Sequence, residues 1–290
     1  MDKRLFVFGL GFTGLRFARA MKLLGWHVAG TVTSAQKANW IHDLGIEAHV
    51  FDGSGLSPDL THLTRSYSHI LSTIPPTNGW TESAAKTPDP VLAHITPAAP
   101  WTTYLSTTGV YGDHEGGWVD ETTPALGGTN RARQRADEDW RAFGATLFRL
   151  PGIYGPGRSV IERAERGQLS RVDKPGHVFS RIHVDDIVQA LIASAHRPTP
   201  GEIFNISDDE PTAPHVVEDY ACDLLGIEPA PLKPYKDAAL SPRAQQFYSQ
   251  FRRVRNTKMK EVLDLSLLYP TYKEGLRACL AARHTKPRML

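Results

Sequence analysis

The hydrophobic positions recur in a regular order over the first half of the chain. Leu5-Phe6-Val7-Phe8 is a short apolar run closed by glycines, and Phe12 to Leu24 then carries apolar residues at helical spacing. Trp26 to Val32 predicts a second strand, Ser34 to Leu44 a helix, and Ile46 to Phe51 a third strand. His69 to Ile74 predicts a fourth strand, stopped by Pro75-Pro76. Trp101 to Ser106 and Thr146 to Leu150 predict later strands, with a helix from Asn130 to Phe143 between them. Strands that alternate with helices over short connections pair in parallel, because each return crossing lays a helix over the sheet. The expected fold class is α/β, a doubly wound parallel sheet.

The pattern changes twice. Residues 75–100 hold Pro75, Pro76, Pro88, Pro90, Pro97 and Pro100, which predicts a surface excursion with one short helix. After Leu150 the strict alternation ends, as Pro151-Gly152 and Gly155-Pro156-Gly157 punctuate the chain. Asp185 to His196 has helical periodicity, Glu202 to Ile206 is strand-like, and helices separated by prolines follow residue 208. Residues 241–290 carry eleven Lys/Arg against three Asp/Glu, while 201–240 carry two against nine. These read as solvated helix faces, the basic ones turned toward the acidic segment beside them.

Composition narrows the class. At 290 residues the chain suits one large α/β domain, alone or with a smaller companion. With 41% hydrophobic and 22% charged residues it is no disordered chain. A net charge of +2 gives no electrostatic footprint for nucleic acid, and the lack of a long apolar run argues against a membrane span. Cys222 and Cys279 are too few for a disulfide framework or a cysteine zinc site, and they suit a reducing compartment. Met1-Asp2-Lys3-Arg4 leads straight into the first strand rather than into a signal peptide, so the expected location is cytoplasmic. The 12 histidines form no H-x-H, H-E-x-x-H or Cys/His pattern, so no metal is expected. No G-x-S-x-G nucleophile turn is present either.

Gly9-Leu10-Gly11-Phe12-Thr13-Gly14 is G-x-G-x-x-G, and here it joins a predicted strand to a predicted helix. In that context the first glycine permits a tight turn, the second lets backbone approach a pyrophosphate, and the third lets helix and strand pack closely. Unpaired N–H groups and the helix dipole then hold the anion, with Gly9, Gly11, Phe12, Thr13 and Gly14 around it. The second strand should end on the residue that meets the adenosine ribose. A carboxylate there selects NAD, whereas Thr31-Val32-Thr33-Ser34-Ala35-Gln36-Lys37 has none. Thr33 and Ser34 offer hydroxyls to a 2′-phosphate and Lys37 a charge, which favours NADP over NAD. Asp52 either meets the adenine edge or serves a plain Asp-Gly turn.

With these residues the chain resembles the extended short-chain dehydrogenase/reductase superfamily, the NAD-dependent epimerase/dehydratase group. The likeness rests on the glycine loop, on Ser106-Thr107-Thr108-Gly109-Val110-Tyr111-Gly112, and on Arg149-Leu150-Pro151-Gly152-Ile153-Tyr154-Gly155-Pro156-Gly157. Arg181-Ile182-His183-Val184-Asp185-Asp186 and Phe204-Asn205-Ile206-Ser207-Asp208 follow in the same order. The resemblance implies a Rossmann-type domain from 1–150 plus 177–208, and a smaller substrate domain from 151–176 plus 209–290. Thr73, Pro75 and Pro151 join the cofactor-binding residues, and Tyr154 and Arg133 the substrate side. A small-molecule substrate or ligand is the expected partner, and a homodimer is left open.

The family's proton transfer uses a Tyr-x-x-x-Lys pair on the helix before the sixth strand, where lysine lowers the tyrosine pKa. This chain has neither residue between Gly112 and Ile153. Alignment puts Thr129 and Arg133, or Asn130 and Gln134, at the two positions, and arginine cannot shuttle protons. Thr107 matches the family's hydroxyl after the fifth strand, so Thr107 and Tyr111 are the candidate catalytic residues, with His114 and Tyr154 behind them. The expectation is an NAD(P)(H)-binding oxidoreductase or epimerase with a rearranged acid/base group. The alternative is an NADP(H)-sensing binding protein, like the reductase-shaped regulators that have lost the same tyrosine.

Overall fold

A computed structural model describes residues 3–53, 58–77, 87–96, 99–125 and 130–284. In chain order its first half runs β1 (Arg4–Phe8), α1 (Phe12–Leu23), β2 (His27–Val32), α2 (Ala35–Asp43), β3 (Glu47–Val50), α3 (Pro58–Thr64), β4 (His69–Ser72), β5 (Trp101–Thr107), β6 (Trp118–Val119), α4 (Arg131–Ala142) and β7 (Thr146–Leu150). Then come β8 (Gly152–Tyr154), α5 (Val160–Glu165), β9 (Val172–Asp173), β10 (Arg181–His183), α6 (Val184–His196) and β11 (Ile203–Asn205). The last part holds α7 (Pro214–Leu225), β12 (Lys233–Pro234), α8 (Pro242–Ser249), β13 (Arg253–Val254), α9 (Thr257–Leu263) and α10 (Tyr272–His284).

Seven strands make one parallel sheet in the order β11-β7-β5-β4-β1-β2-β3. The chain winds one way from β1 to β3 and the other way from β4 onward, so the switch point lies between β1 and β4. Both faces are covered. Leu5 and Val7 point to one face with Phe17, Met21 and Trp101, while Phe6 and Phe8 point to the other with Tyr67, Tyr104 and Trp140. A strand buried on both sides reads as an unbroken apolar run, which is why Leu5 to Phe8 shows no alternation. Each such side chain contributes roughly 1.5–3 kcal/mol by burial. The fourth strand ends two residues short of expectation, at Ser72. Thr73 N–H makes the last bond toward β1, to the Phe8 carbonyl at 2.9 Å, and the prolines beyond cannot donate.

The proline-rich excursion is tied down by Asp89, which accepts Val91 and Leu92 N–H at 2.9 and 3.0 Å and the Trp140 indole N–H at 2.7 Å. Its described helical content is a single turn, Leu92–His94. Trp140 in turn stacks on Tyr104 at 5.1 Å, which fixes α4, a helix with few apolar residues, against β5. In the later part β8 pairs with β10, and α5, α7 and α10 close around Tyr154, Ile161, Val217, Tyr272 and Leu276. The basic residues do face the acidic segment: Lys258 pairs with Glu202, Lys260 with Asp209 and Lys273 with Glu210. No helix among the described residues is long and apolar enough to cross a membrane.

Candidate active site

Parallel pairing brings the carboxyl ends of all seven strands to one edge, and Gly9–Gly14 lies on that edge at the switch point. Gly9 has φ +93°, a conformation that favours glycine, and a Cβ there would sit 2.6 Å from Thr73 Oγ1. A Cβ on Gly14 would overlap the Gly9 carbonyl oxygen. A Cβ on Gly11 would meet nothing within 4 Å. The protein's own packing therefore demands the first and third glycines, while the second borders open space. Gly9 N–H donates to Thr31 Oγ1 at 2.9 Å and Thr73 Oγ1 donates to Gly9 O at 2.7 Å, so strands on both sides hold the loop. No side chain caps α1 and its first turn has no acidic residue. Its N–H groups and dipole are left for an anion, and a dinucleotide pyrophosphate fits this cradle. Thr13 is buried, and the Phe12 ring packs beneath the guanidinium groups of Arg16 and Arg158, at 4.8 and 5.3 Å.

Thr33 and Ser34 are exposed after β2, and Ser34 Oγ caps α2 by accepting the Lys37 N–H at 3.3 Å. That bond uses a lone pair of the hydroxyl and leaves its proton available. Lys37 is half-buried in the first turn of α2, and Asp52 is exposed beyond β3. Thr73 and Pro75 follow β4 and Pro151 follows β7, all on the same edge.

At the end of β5 the two catalytic candidates part. Thr107 is half-buried, and its Oγ accepts the Gly109 N–H at 3.1 Å, leaving the hydroxyl proton uncommitted. Tyr111 is only 2% exposed. Its hydroxyl donates to Asn205 Oδ1 at 2.8 Å, its ring lies 4.9 Å from the Arg149 guanidinium, and burial pushes its pKa up. A phenol so enclosed wedges the β5 loop against β11. His114 leans its ring nitrogen on the Tyr111 carbonyl at 3.2 Å.

Beneath Tyr111 runs a buried network that the sequence did not announce. Asp137 on α4 takes a hydrogen bond from the Ser106 hydroxyl and a two-pronged pair from Arg149, at 3.1 and 2.6 Å. Asn205 N–H donates to Glu121 Oε1 at 2.7 Å. Arginine in a sheet interior needs a carboxylate, so Arg149 in a predicted core strand was the available signal.

Thr129, one of the residues aligned with the family's tyrosine, lies outside the described residues. Asn130 caps α4 by accepting the Arg133 N–H at 3.1 Å, and Gln134 is buried. Arg133 is half-buried in the first turn of α4, and its charge is the leading influence opposing the upward push of burial on the Tyr104 phenol. Arg135 is exposed, as a solvated helix arginine is, and pairs with the mostly buried Asp139.

Tyr154 is buried, with its ring edge-on to His183 at 5.2 Å and its hydroxyl 3.5 Å from the Thr271 carbonyl. It forms one wall of a cavity of about 390 Å³ that starts at Gly152, the residue after Pro151. A neighbouring cavity of about 630 Å³ shares Phe179, Arg181 and Arg163 with it. A third, of about 280 Å³, lies at the amino ends of β5 and β7, the edge where such sheets do not bind ligands. His183 is fully buried, accepts the Asp185 N–H at 3.2 Å and is pushed down to about 4 by burial, so it orients the start of α6. Among the described residues no three His, Cys, Asp or Glu side chains converge as a metal site.

No family model matches the chain. Protein YeeZ of Escherichia coli strain K12 is 28% identical over 241 residues, covering 78% of this chain and 85% of that protein. A functionally unknown conserved protein from Silicibacter pomeroyi is 40% identical, with 97% of this chain and 99% of that chain covered and a TM-score of 0.85. UDP-glucuronic acid 4-epimerase from Bacillus cereus, solved in complex with NAD, is 17% identical, with 95% of this chain and 96% of that chain covered and a TM-score of 0.71.

Proposed function

We propose a function on this premise: the chain belongs to the family of the conserved Silicibacter pomeroyi protein, and its fold is that of the extended short-chain dehydrogenase/reductase superfamily. The chain binds NAD(P)(H) along the carboxyl edge of the sheet and acts as an oxidoreductase or epimerase on a small molecule. One observation carries this reading. Gly9 and Gly14 are required by internal packing, and Gly11 faces open space beside an uncapped helix. Residues 1–150 with 177–208 hold the cofactor, and 151–176 with 209–290 hold the substrate. NADP is preferred, because Thr33, Ser34 and Lys37 meet a 2′-phosphate where a carboxylate would repel it.

A bound nicotinamide supplies or accepts hydride. Thr107, with its proton uncommitted, donates a hydrogen bond to the reacting oxygen. Arg133 in the first turn of α4 stabilises negative charge on that oxygen as a permanent cation, and the proton itself comes from water. Tyr111 keeps the loop in place. A second reading, an NADP(H) sensor without turnover, draws on the burial of that tyrosine, since it takes the loop's only phenol out of the cleft. Calorimetry with NADPH and NADH, followed by a carbonyl-compound screen, tests both. Tight cofactor binding with turnover supports the enzyme, tight binding without turnover of any compound supports the sensor, and no binding of either nucleotide defeats both.

A further inference from the structure

Arg181 opens β10, is 9% exposed, and lines both of the cavities that meet at Phe179. Its Nη1 donates to the carbonyls of Phe179 at 2.8 Å and Thr212 at 3.1 Å, pinning the bridge between those two residues. Its Nε and Nη2 donate to no described residue. Glu218, one of the carboxylates whose charge reaches it, is engaged with Arg163 at 3.0 Å. Asp208 is the nearest opposing charge; it is fully buried and makes no ion pair with Arg181, and burial pushes its pKa up while the Arg181 charge pulls it down.

No described carboxylate forms an ion pair with this buried guanidinium, and the cavities it lines are the side from which an anion can reach it. The Nε–Nη2 edge presents two parallel N–H groups, the fork that matches a carboxylate. Around it Phe179, Phe247, Tyr248, Val217 and Tyr272 supply apolar wall, beside charged groups that include the Arg163–Glu218 pair. Phe179 lies directly on the β8 backbone, where any Cβ on Gly152 would overlap its ring. That places the aromatic wall one residue from Pro151 and the edge assigned to the cofactor.

We propose that Arg181 anchors the carboxylate of the substrate, a small organic acid with a flat apolar or aromatic body laid against Phe179 and its reacting end toward Pro151. This rests on the dinucleotide reading above for which end reacts, but the anion site itself is testable without cofactor.

The test is calorimetry and thermal shift on the full chain, with and without NADPH, using matched pairs: phenylacetate and phenylacetamide, trans-cinnamate and cinnamamide, with UMP as a phosphate-bearing control. At least one acid should bind about tenfold or more tighter than its amide. Arg181→Gln should erase that gap and leave NADPH affinity unchanged. Arg181→Lys, which keeps the charge but not the fork, should retain a reduced gap. Because the wild-type gap needs no variant, failure of either substitution to fold leaves the decision intact. Acids and amides binding alike, no acid binding up to about 20 mM, or UMP binding with no acid preference would each overturn the assignment. Loss of NADPH binding with the gap preserved would instead overturn only the cofactor reading.

Discussion

Gly11 is the loop position where the protein's own packing could accept a side chain and where, on the proposed binding mode, a pyrophosphate could not. Gly11→Asp should therefore stay folded while NADPH titration by fluorescence shows binding abolished, because the new carboxylate occupies the anion's place. Unchanged affinity in a folded variant would disprove the loop assignment. Thr33→Asp restores the carboxylate missing after β2 and should move the NADH-to-NADPH affinity ratio toward NADH by about tenfold or more, read by calorimetry. Tyr111→Phe removes a buried hydrogen bond to Asn205, whose Nδ2 already lacks a partner. We expect a stability loss of about 1–3 kcal/mol in urea unfolding, with NADPH affinity unaltered. A large fall in turnover without loss of stability would return Tyr111 to the chemistry.

At the scale of the helix, α4 shows how two similar charges differ. Asp137 and Asp139 sit two residues apart, about 200° around the helix. Asp139, mostly buried itself, meets the exposed Arg135 at the surface, and Asp137 meets Arg149 in the interior. Asp137→Asn strands a buried guanidinium and should cost about 3–5 kcal/mol. Arg135→Ala should cost less than about 1 kcal/mol. Chemical denaturation of both variants checks the contrast, and comparable losses would mean that the Asp137 pair is solvated. The helix itself was legible from its Asn130 cap and Phe143 end. Its inward-facing acid was not, since a sequence rich in Arg, Asp and Glu marks none of them as buried.

Across the whole molecule, buried histidines lower stability in acid. His177 packs among Phe247, Tyr248 and Phe251, and burial, then the charge of Lys174, pushes it down to about 4 against a backbone hydrogen bond at Phe247. Arg181 acts in the same direction as Lys174, and Asp113 against it. Between about 4 and the ordinary value of 6.5 the unfolded chain binds a proton that the folded one refuses, so stability falls as pH drops through that window. His183 acts in the same sense. Asp186, pushed up to about 6, acts in the opposite one, since its folded carboxyl takes a proton more readily than the unfolded. His177→Phe should lose less Tm than the wild type between pH 6.5 and 4, and equal losses by scanning calorimetry would show that the ring is charged in the fold.

What the chain determines by itself is what short segments decide. The cradle of Gly9, Gly11 and Gly14 needs only one strand, one turn and one helix in succession, so backbone freedom and close packing could be read from spacing alone. The lack of a Tyr–Lys pair is equally plain, because no tyrosine or lysine stands between Gly112 and Ile153. Tertiary structure alone decided which polar groups face the cleft. Tyr111 is occupied by Asn205, 94 residues away, and the Nε–Nη2 edge of Arg181 is left open while Glu218 pairs with Arg163. A hydroxyl or guanidinium has the same formula exposed or buried. Its role depends on the acceptors that distant segments bring to it and on whether water can reach it.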